Sequence, residues 1–540
     1  MFAAPLLSLL LLAGRGLSYT WPDVRVDRLE SLLYQQQQYH GLLVASDVKY
    51  CFLSVFDLDE IRSISGRLAA AEWIRVAYHD MATADVEAGT GGLDASISFE
   101  TDRDENKGPA FNATMRQLYL FHSAKSSMAD MIAMAVTLAV GSCSEGAVNV
   151  PYRGGRIDAT EAGPLGVPEP QQDLEQHTSI FQKQGFNQTE MIGLVACGHS
   201  VGGVHGTIFP DTVPVLNDTQ NEASLQPFDS SPTVFDNSVA VGFTENSTQD
   251  ALAYGPNTTT RSDHRIFLSD GGNLISRMAQ DNDFYLSTCK SLLERMINTV
   301  PKEVQLTEVI DPIATKPDYL DLRINEDGTF FIRGEVRTIQ AEGIDRDNRQ
   351  VVVHLKAGDS ETTSAPTTWN GESLPFHENR PSFDWWGFNA TVPIAQGLSF
   401  DVELIDSGDS KLETNGGSGF PLQTDIVPQT ARSCSSTAIR GPSTISVTAA
   451  ILDAAGFDSV ALSVDVPYAQ QNSLIPRIEP TLVDMEFTQA LNGTGYSLYS
   501  GSLDFGAAFQ GALSYDVIGR RTSGDDSISE FNLFSALSDC

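Results

Sequence analysis

The sequence has few basic residues. Lysine and arginine together number 34 of 540 residues, against 70 aspartates and glutamates, so the formal net charge is −36. Nucleic acids bind basic surfaces, and this balance therefore argues against a nucleic-acid partner. Only 19% of the residues are charged and 41% are hydrophobic, a composition typical of several folded domains and not of a disordered chain.

Long hydrophobic segments are also lacking, apart from one short run at the start. Residues 2–14 read FAAPLLSLLLLAG, which is too short to cross a bilayer but suits the centre of a signal peptide. We predict a signal peptide over residues 1–18, no membrane span, and a secreted, extracellular protein. Sequons for N-glycosylation agree with secretion. They lie at Asn112, Asn187, Asn217, Asn246, Asn257, Asn389 and Asn492.

Cysteine is rare, with 6 residues in the whole chain. An even number in an exported protein predicts disulfide bonds, but their pairing stays open at this point. The cysteines are Cys51, Cys143, Cys197, Cys289, Cys434 and Cys540.

The spacing of apolar residues indicates a helical first part. Residues 19–57 are a poorly patterned lead-in, and residues 58–300 have mainly helical spacing. Helices are predicted over residues 65–83, 128–140, 190–204 and 283–299.

Strand patterns follow a linker predicted over residues 301–318. Asp327-Gly328 indicates a hairpin turn, and strict alternation over residues 460–466 predicts a half-buried strand. We predict a β-sandwich-like domain over residues 319–425. Residues 426–540 form either a second β domain or a continuation of the first.

Reactive side chains are concentrated in the helical part. Arg75 and His79 are four residues apart on a predicted helix and share a face. A fixed cation beside a proton-exchanging group suits acid–base catalysis, although an ordinary surface pair is the simpler interpretation of these two alone. His199 ends an apolar helix, where it is a core residue, an exposed helix end or a metal ligand. Asn187 and Glu190 resemble a capping box that places the start of that helix.

Two loops carry oxygen atoms at alternate positions. One comprises residues 91–96, to which Asp80 adds a carboxylate, and the other comprises residues 228–236. This spacing suits calcium, which takes roughly six to eight oxygen ligands. An ordinary polar turn is the alternative for each loop.

These motifs, in this order over about residues 58–300, resemble the plant/fungal haem peroxidase superfamily, in particular its secretory fungal and cytochrome-c-peroxidase-like branches. Arg75, Tyr78, His79 and Asp80 match the family's distal motif, although Tyr78 stands where the family usually has Phe or Trp. Residues 196–200 resemble the proximal motif, and residues 262–270 resemble the segment with the proximal aspartate. The resemblance implies a multidomain protein, with a mainly α haem peroxidase domain followed by an all-β, sandwich-like region.

The resemblance implies haem b as the cofactor. His199 would bind the haem iron, and Asp263 would accept a hydrogen bond from the other ring nitrogen of His199. Tyr78 and Phe228 would also border the cofactor. Phe228 stands where some members have a radical-forming Trp, so the second oxidising equivalent would reside on the porphyrin.

The family's distal chemistry would fall to three residues. His79 would move a proton between the two peroxide oxygens, and Arg75 would stabilise the charge that develops as the O–O bond breaks. Asn106, at the family's spacing from Glu100, would fix the tautomer of His79.

Two calcium ions are implied by the same resemblance. The distal site would use Asp80, Gly92, Asp94 and Ser96. The proximal site would use Ser200, Asp229, Ser231, Val234 and Asp236. The family also suggests disulfides between Cys51 and Cys143 and between Cys197 and Cys289. Cys434 and Cys540 would join within the C-terminal β region.

The implied function is a secreted haem peroxidase that reduces hydrogen peroxide and oxidises small, phenolic donors in one-electron steps via a ferryl intermediate. Leu194 replaces the surface Trp of lignin peroxidases. Leu68, Glu72 and His205 replace the carboxylate trio of manganese peroxidases, so neither of those activities is expected from these sites.

The β region leaves a second function open. The alternative is a cell-wall or matrix adhesion protein with a vestigial peroxidase domain. Trp385-Trp386 would then form an exposed platform for a wall polysaccharide, although large aromatic residues more often fill a β-sandwich core.

Overall fold

The computed structural model describes residues 19–53, 66–219, 221–340, 346–358, 362–377, 379–437, 441–506 and 513–540. The predicted signal peptide, residues 1–18, lies outside the described residues. The α-helices are α1 (Val24–Tyr34), α2 (Ala69–Met81), α3 (Ala110–Leu118), α4 (Met128–Cys143), α5 (Leu174–Lys183), α6 (Gln188–Gly198), α7 (Ser238–Thr244), α8 (Ala251–Tyr254), α9 (Ser262–Phe267), α10 (Asn273–Gln280) and α11 (Asn282–Ile297).

The strands lie mostly after the helices. They are β1 (Gln37–Gln38), β2 (Gly203–His205), β3 (Leu225–Pro227), β4 (Thr315–Ile324), β5 (Thr329–Ile339), β6 (Arg349–Lys356), β7 (Thr363–Pro366), β8 (Thr368–Leu374), β9 (Phe383–Pro393), β10 (Ser399–Asp406), β11 (Asp409–Glu413), β12 (Phe420–Pro421), β13 (Ile426–Pro428), β14 (Cys434–Ser436), β15 (Ser443–Leu452), β16 (Ser459–Tyr468), β17 (Arg477–Asp484), β18 (Glu486–Leu491), β19 (Tyr496–Phe505), β20 (Ser514–Arg520), β21 (Ser527–Leu533) and β22 (Ser538–Asp539).

Helix α4 is the centre of the helical part. Its sequence is almost entirely apolar, and every one of its residues is buried, as expected of a helix without a solvent face. Helix α2 buries Trp73, Val76 and Ala77 and packs against α3 and α4. The helices predicted around residues 65–83, 128–140 and 283–299 are confirmed as α2, α4 and α11.

The helix predicted over residues 190–204 is shorter than expected. Helix α6 ends at Gly198, and the chain continues into strand β2. Gly202 has a φ of 83°, in the left-handed region that glycine adopts readily and that interrupts a right-handed helix.

The β region contains two pairs of sheets, which confirms the predicted fold class. The first pair has strand orders β1-β8-β9-β5-β4 and β11-β10-β6-β7, with β12 on β10. The second pair has orders β18-β19-β15-β14-β22, with β13 on β15, and β17-β16-β20-β21. One apolar core is built around Phe330, Phe400 and Val402, and another around Val447, Val464 and Val517.

The lead-in and the linker differ from their predictions. The lead-in contains helix α1, whose leucines pack in the core of the helical part. Its Glu30 pairs with Lys316 and Arg337 of the β region. Strand β4 begins at Thr315, inside the segment predicted as a linker.

The structure tests two further predictions for the β region. The strand over residues 460–466 is buried on both faces, not one, since Ala461 and Ser463 are covered as well as Val464. Trp385 and Trp386 are buried, which confirms the core interpretation and removes this pair as an exposed sugar platform.

Disulfides join Cys51 to Cys143, Cys197 to Cys289 and Cys434 to Cys540. These are the pairs that the resemblance suggested. Within the described residues, no helix is both long and apolar enough to cross a membrane.

Candidate active site

Arg75 and His79 lie on one face of α2, as their four-residue spacing predicts. The ring of Phe111, on α3, is 5.0 Å from the ring of His79 and 4.8 Å from the guanidinium carbon of Arg75. Phe209 lies 5.6 Å from the same carbon. The two phenylalanines therefore hold the reactive pair between apolar surfaces. Sequence reasoning missed both, since no local pattern marks a phenylalanine that faces another helix.

Asn106 fixes one ring nitrogen of His79. Its side-chain oxygen Oδ1 is 2.7 Å from Nδ1 of His79. The Asn106 amide group in turn donates a hydrogen bond of 3.0 Å to the main-chain oxygen of Glu100, so its oxygen faces the histidine. Nδ1 of His79 must then carry hydrogen, which leaves Nε2 free to accept a proton. The Glu100 carboxylate accepts instead from the Gly163 N–H.

The surroundings of the distal pair keep His79 neutral. Burial and the positive charge of Arg75 lower the pKa of His79 to about 3, with the Asn106 hydrogen bond acting in the opposite direction. Burial lowers the pKa of Arg75 to about 10, so its guanidinium remains charged at neutral pH. A neutral base therefore lies beside a fixed cation.

Tyr78 points toward α5. Its ring stacks on Phe181 with the centroids 5.9 Å apart, and its hydroxyl donates a 3.2 Å hydrogen bond to Gln184. Burial raises the pKa of Tyr78 well above its usual value. The hydroxyl group thus stays protonated and is bonded away from His79.

The proximal pair joins α6 to α9. The capping box of Asn187 and Glu190 that the sequence predicted starts α6, and His199 caps its end. Nδ1 of His199 lies 2.6 Å from Oδ2 of Asp263, in the first turn of α9. The Asp263 carboxylate is 1% exposed, whereas the His199 side chain is 27% exposed. The buried carboxylate therefore orients an imidazole whose other nitrogen remains accessible for a ligand bond.

Phe228 lies flat against His199. The two rings are 4.3 Å apart with an interplanar angle of 12°. Leu194, on the same helix as the proximal motif, is buried. Phe228 is thus in contact with His199, and a buried leucine occupies the position compared with the surface Trp of lignin peroxidases.

The first oxygen-rich loop folds around Asp80. The Asp80 carboxylate accepts hydrogen bonds from the main-chain N–H groups of Asp94, Ala95 and Ile97. Burial, and then the charge of Asp94, raises the pKa of Asp80. The Ser96 hydroxyl oxygen is buried with no hydrogen-bond partner in the described structure. Two facing carboxyl groups and a free hydroxyl form an oxygen set that a hard cation fits. At Gly92 a side chain is excluded, because a Cβ would lie 2.5 Å from the Thr299 carbonyl oxygen.

The second loop shares these properties. The Ser200 hydroxyl donates to the Asp236 carbonyl oxygen at 2.7 Å, and the Ser231 N–H donates to Asp229 at 2.8 Å. Oδ2 of Asp229 is buried without a partner among the described residues. Burial raises the pKa of Asp229 to about 6, with the charge of Asp236 acting in the same direction. Val234 donates its N–H to the Ser231 carbonyl group.

Each loop contributes two carboxylates, and no group of three or more His, Cys, Asp or Glu side chains suited to a metal occurs in the described ranges.

At the position compared with the manganese site of manganese peroxidases, Glu72 makes a bidentate pair with Arg67, at 2.5 and 2.7 Å. Leu68 and His205 are the other two residues there, and Nε2 of His205 is buried without a partner.

Comparison with known proteins places these motifs in a family. A family model described as "Peroxidase" matches residues 58–281. A "WSC domain-containing protein" of Arthroderma benhamiae is 34% identical over 526 residues, which is 95% of this chain and 66% of that protein. The chain therefore spans less than the whole of that relative.

Relatives named as peroxidases match less than half of the chain. A "Putative L-ascorbate peroxidase 6" of Arabidopsis thaliana is 25% identical over 254 residues, covering 45% of this chain and 68% of that protein. A mitochondrial "Cytochrome c peroxidase" of Emericella nidulans is 24% identical over 241 residues, covering 42% of this chain and 62% of that protein. The domain at residues 58–281 belongs to the plant/fungal haem peroxidase superfamily.

Proposed function

We propose that this protein is a secreted haem peroxidase that reduces hydrogen peroxide and oxidises small phenolic donors in one-electron steps. The observation that carries the proposal is the neutral His79, oriented by Asn106 beside the charged Arg75. A peroxidase needs such a base to accept a proton from hydrogen peroxide and such a cation to stabilise the leaving oxygen.

The residues present suit haem. His199 would hold the iron through Nε2, because its Nδ1 is already bonded to Asp263. Phe228 provides a flat apolar surface against the imidazole. When bound, haem would supply the redox-active iron at which peroxide is reduced.

The two distal side chains have different roles. Nε2 of His79 accepts the proton from one peroxide oxygen and delivers it to the other, because Nδ1 is held by Asn106. Arg75 supplies positive charge to the oxygen that leaves. Glu72, the acidic residue whose charge acts on Arg75, is itself paired with Arg67, so the guanidinium charge is not neutralised by it.

We also propose one calcium ion at each oxygen-rich loop. Support comes from the unpartnered, buried oxygens of Ser96 and Asp229. A bound cation would complete their coordination and offset the repulsion between the two carboxylates of each loop.

The proposal is tested with the chain reconstituted with haem and mixed with hydrogen peroxide in a stopped-flow spectrometer. In the wild type, the Soret band should change rapidly and recover when a phenol is added. His79→Leu should slow the reaction with peroxide by about 10²–10⁴-fold, the usual contribution of a general acid–base group. His122→Leu is the matched control, since it removes another buried imidazole, one paired with Asp158 and not with Asn106. Equal rates for the wild type and His79→Leu would refute the proposed role.

A second candidate is an adhesion or wall-binding protein with a vestigial peroxidase domain. It is favoured by the relative that matches 95% of this chain, including the β region, and is named for a WSC domain and not as a peroxidase. Co-sedimentation with insoluble fungal wall glucan, together with a Soret band that does not respond to peroxide, would favour this candidate.

A further inference from the structure

A second buried carboxyl group adjoins the proximal aspartate. Asp250 is 2% exposed and Asp263 is 1% exposed, and their side chains are in hydrogen-bonding contact. Asp250 precedes α8 and Asp263 lies in α9, and these two helices pack against each other. The packing of these helices therefore brings the two carboxyl groups together, and no motif in the sequence predicts this contact.

Asp250 and Asp263 differ in the hydrogen bonds that their side-chain oxygens accept. Oδ1 of Asp250 caps α8 by accepting from the Leu252 N–H at 2.8 Å. Oδ2 of Asp250 is buried and receives no hydrogen bond from the described residues. Asp263 accepts from His199 at Oδ2 and from the Ser262 hydroxyl at Oδ1, at 2.6 and 3.1 Å. The helix cap accounts for the burial of one oxygen of Asp250 but not for the burial of the other, which has no hydrogen-bond donor.

One proton shared between the two carboxyl groups satisfies the free oxygen. Ionised carboxylates only accept hydrogen bonds, so two of them in contact repel each other, most strongly when buried. Burial and the charge of Asp263 raise the pKa of Asp250 well above its usual value. Asp263 accepts hydrogen bonds on both of its oxygens, from His199 and from Ser262, as an ionised carboxylate does. The proton therefore belongs to Asp250.

We propose that Asp250 is a positioning residue of the proximal site, with a protonated carboxyl group that donates a hydrogen bond to Asp263. Accepting this bond withdraws negative charge from the carboxylate that faces His199. Asp263 then polarises the Nδ1–H bond of His199 less strongly, and the imidazole has less anionic character than beside an isolated aspartate. The inference rests on the proposed function, in which His199 is the axial ligand of haem iron.

Two substitutions separate a protonated Asp250 from an ionised one. Asp250→Asn keeps an oxygen for the helix cap and an N–H donor for Asp263, so it imitates the protonated acid. Asp250→Leu has a similar size but removes the donor. Asp281→Leu controls for the loss of a helix cap, because Asp281 caps α11 by accepting from the Phe284 N–H and lies on the surface.

The readouts are the iron–histidine stretching band of the ferrous protein, measured by resonance Raman spectroscopy, and the iron reduction potential. Asp250→Leu should move the band to higher frequency and the potential to a more negative value, because Asp263 becomes a stronger acceptor. Asp250→Asn should keep both near the wild-type values, and Asp281→Leu should change neither. An ionised Asp250 predicts the opposite: both substitutions at this position would remove a negative charge and make the potential more positive. That result would overturn the inference.

Infrared difference spectroscopy of wild type minus Asp250→Asn gives an independent test that does not depend on the iron. The wild type should show the C=O band of a buried carboxylic acid that is lost in the variant, and a lost carboxylate band instead would refute a protonated Asp250. The two proposals fail in different ways. Absence of an iron–histidine band from the wild type would refute the axial role of His199, whereas a band that is present but unmoved by Asp250→Leu would refute only the role of Asp250.

Discussion

The hydroxyl oxygens of Ser98 and Ser473 lie 3.1 Å apart, although 375 residues separate them in the chain. The Leu474 N–H also donates to the Ser98 carbonyl group at 3.1 Å, and Ile475 is buried in the core of the helical part. Ser98 lies between Ser96 of the first oxygen-rich loop and Glu100, which holds Asn106. The loop between β16 and β17 is thus part of the support of the distal side.

Ile475→Ala should destabilise the helical part. Removing a large buried side chain typically costs about 2–5 kcal/mol, and here the gap would open beneath the segment that leads to Asn106. Thermal unfolding followed at the Soret band should therefore start at a lower temperature. Leu474→Ala is the neighbouring control, because that side chain is 42% exposed and should change stability by about 0.5 kcal/mol or less. Equal shifts for the two variants would contradict this support role.

Asn106→Leu should slow the reaction with hydrogen peroxide by about tenfold. The variant loses the hydrogen bond that fixes His79, and such a bond contributes on the order of 1 kcal/mol. Haem binding should be unaffected, because His199 is on a different helix. The measurement is the second-order rate of the Soret change. Asn149→Leu, which removes another side-chain bond to the main chain, one to Gly146, should retain the wild-type rate.

Acid should release α1 from the β region. Burial alone would raise the pKa of Glu30, but Arg337 and Lys316 lower it to about 2. A carboxylate with a depressed folded pKa contributes stability that is complete above its unfolded value of about 4.5 and is lost as the pH falls toward 2. The free energy of unfolding should therefore decline over this window, measured by denaturant titration at a series of pH values.

The same cluster gives a substitution test. Glu30→Gln should cost about 3–5 kcal/mol, because it leaves two buried cations without their counter-charge, and should flatten the pH dependence between 4.5 and 2. Glu479→Gln removes an exposed partner of Arg477 and should cost about 0–1 kcal/mol. A pH profile unchanged by Glu30→Gln would exclude Glu30 as the titrating group.

Chelation of calcium should lower the melting temperature and weaken haem retention. A ligand at about 100 times its dissociation constant stabilises the folded state by about 2.7 kcal/mol, and that contribution would disappear. Asp229→Ala should reduce the response to the chelator, whereas Asp270→Ala, which removes a capping carboxylate of α10, should keep it. Identical melting curves with and without chelator would contradict calcium binding at both loops.

Local patterns in the sequence predict the helices and the reactive pair well. The four-residue spacing of Arg75 and His79 and the capping box of Asn187 and Glu190 are short-range features, so the structure reproduces them. The alternation over residues 460–466 correctly predicts a strand but not its burial on both faces, because that depends on which sheet covers it.

Long-range contacts account for what the sequence did not predict. Helix α1 is buried by long-range contacts of two kinds. Its leucines pack in the core of the helical part, and Glu30 pairs with Lys316 and Arg337 of the β region. Phe111, Phe209 and Asp250 enter the site from elements whose packing no spacing rule specifies. The pairing of Glu100 with Asn106 was expected, but the contact uses the Glu100 main-chain oxygen, which only the local turn determines.

The pairing of Glu30 with Arg337 also constrains the order in which the chain can fold during synthesis. The two residues are separated by 307 positions, and at about 5–20 residues per second a ribosome needs roughly 15–60 s to make the intervening chain. Throughout that interval α1 has left the ribosome without the strands that will cover it. Glu30 therefore lacks both of its cations until the helical part has been made, whereas the leucines of α1 belong to the core of that earlier part.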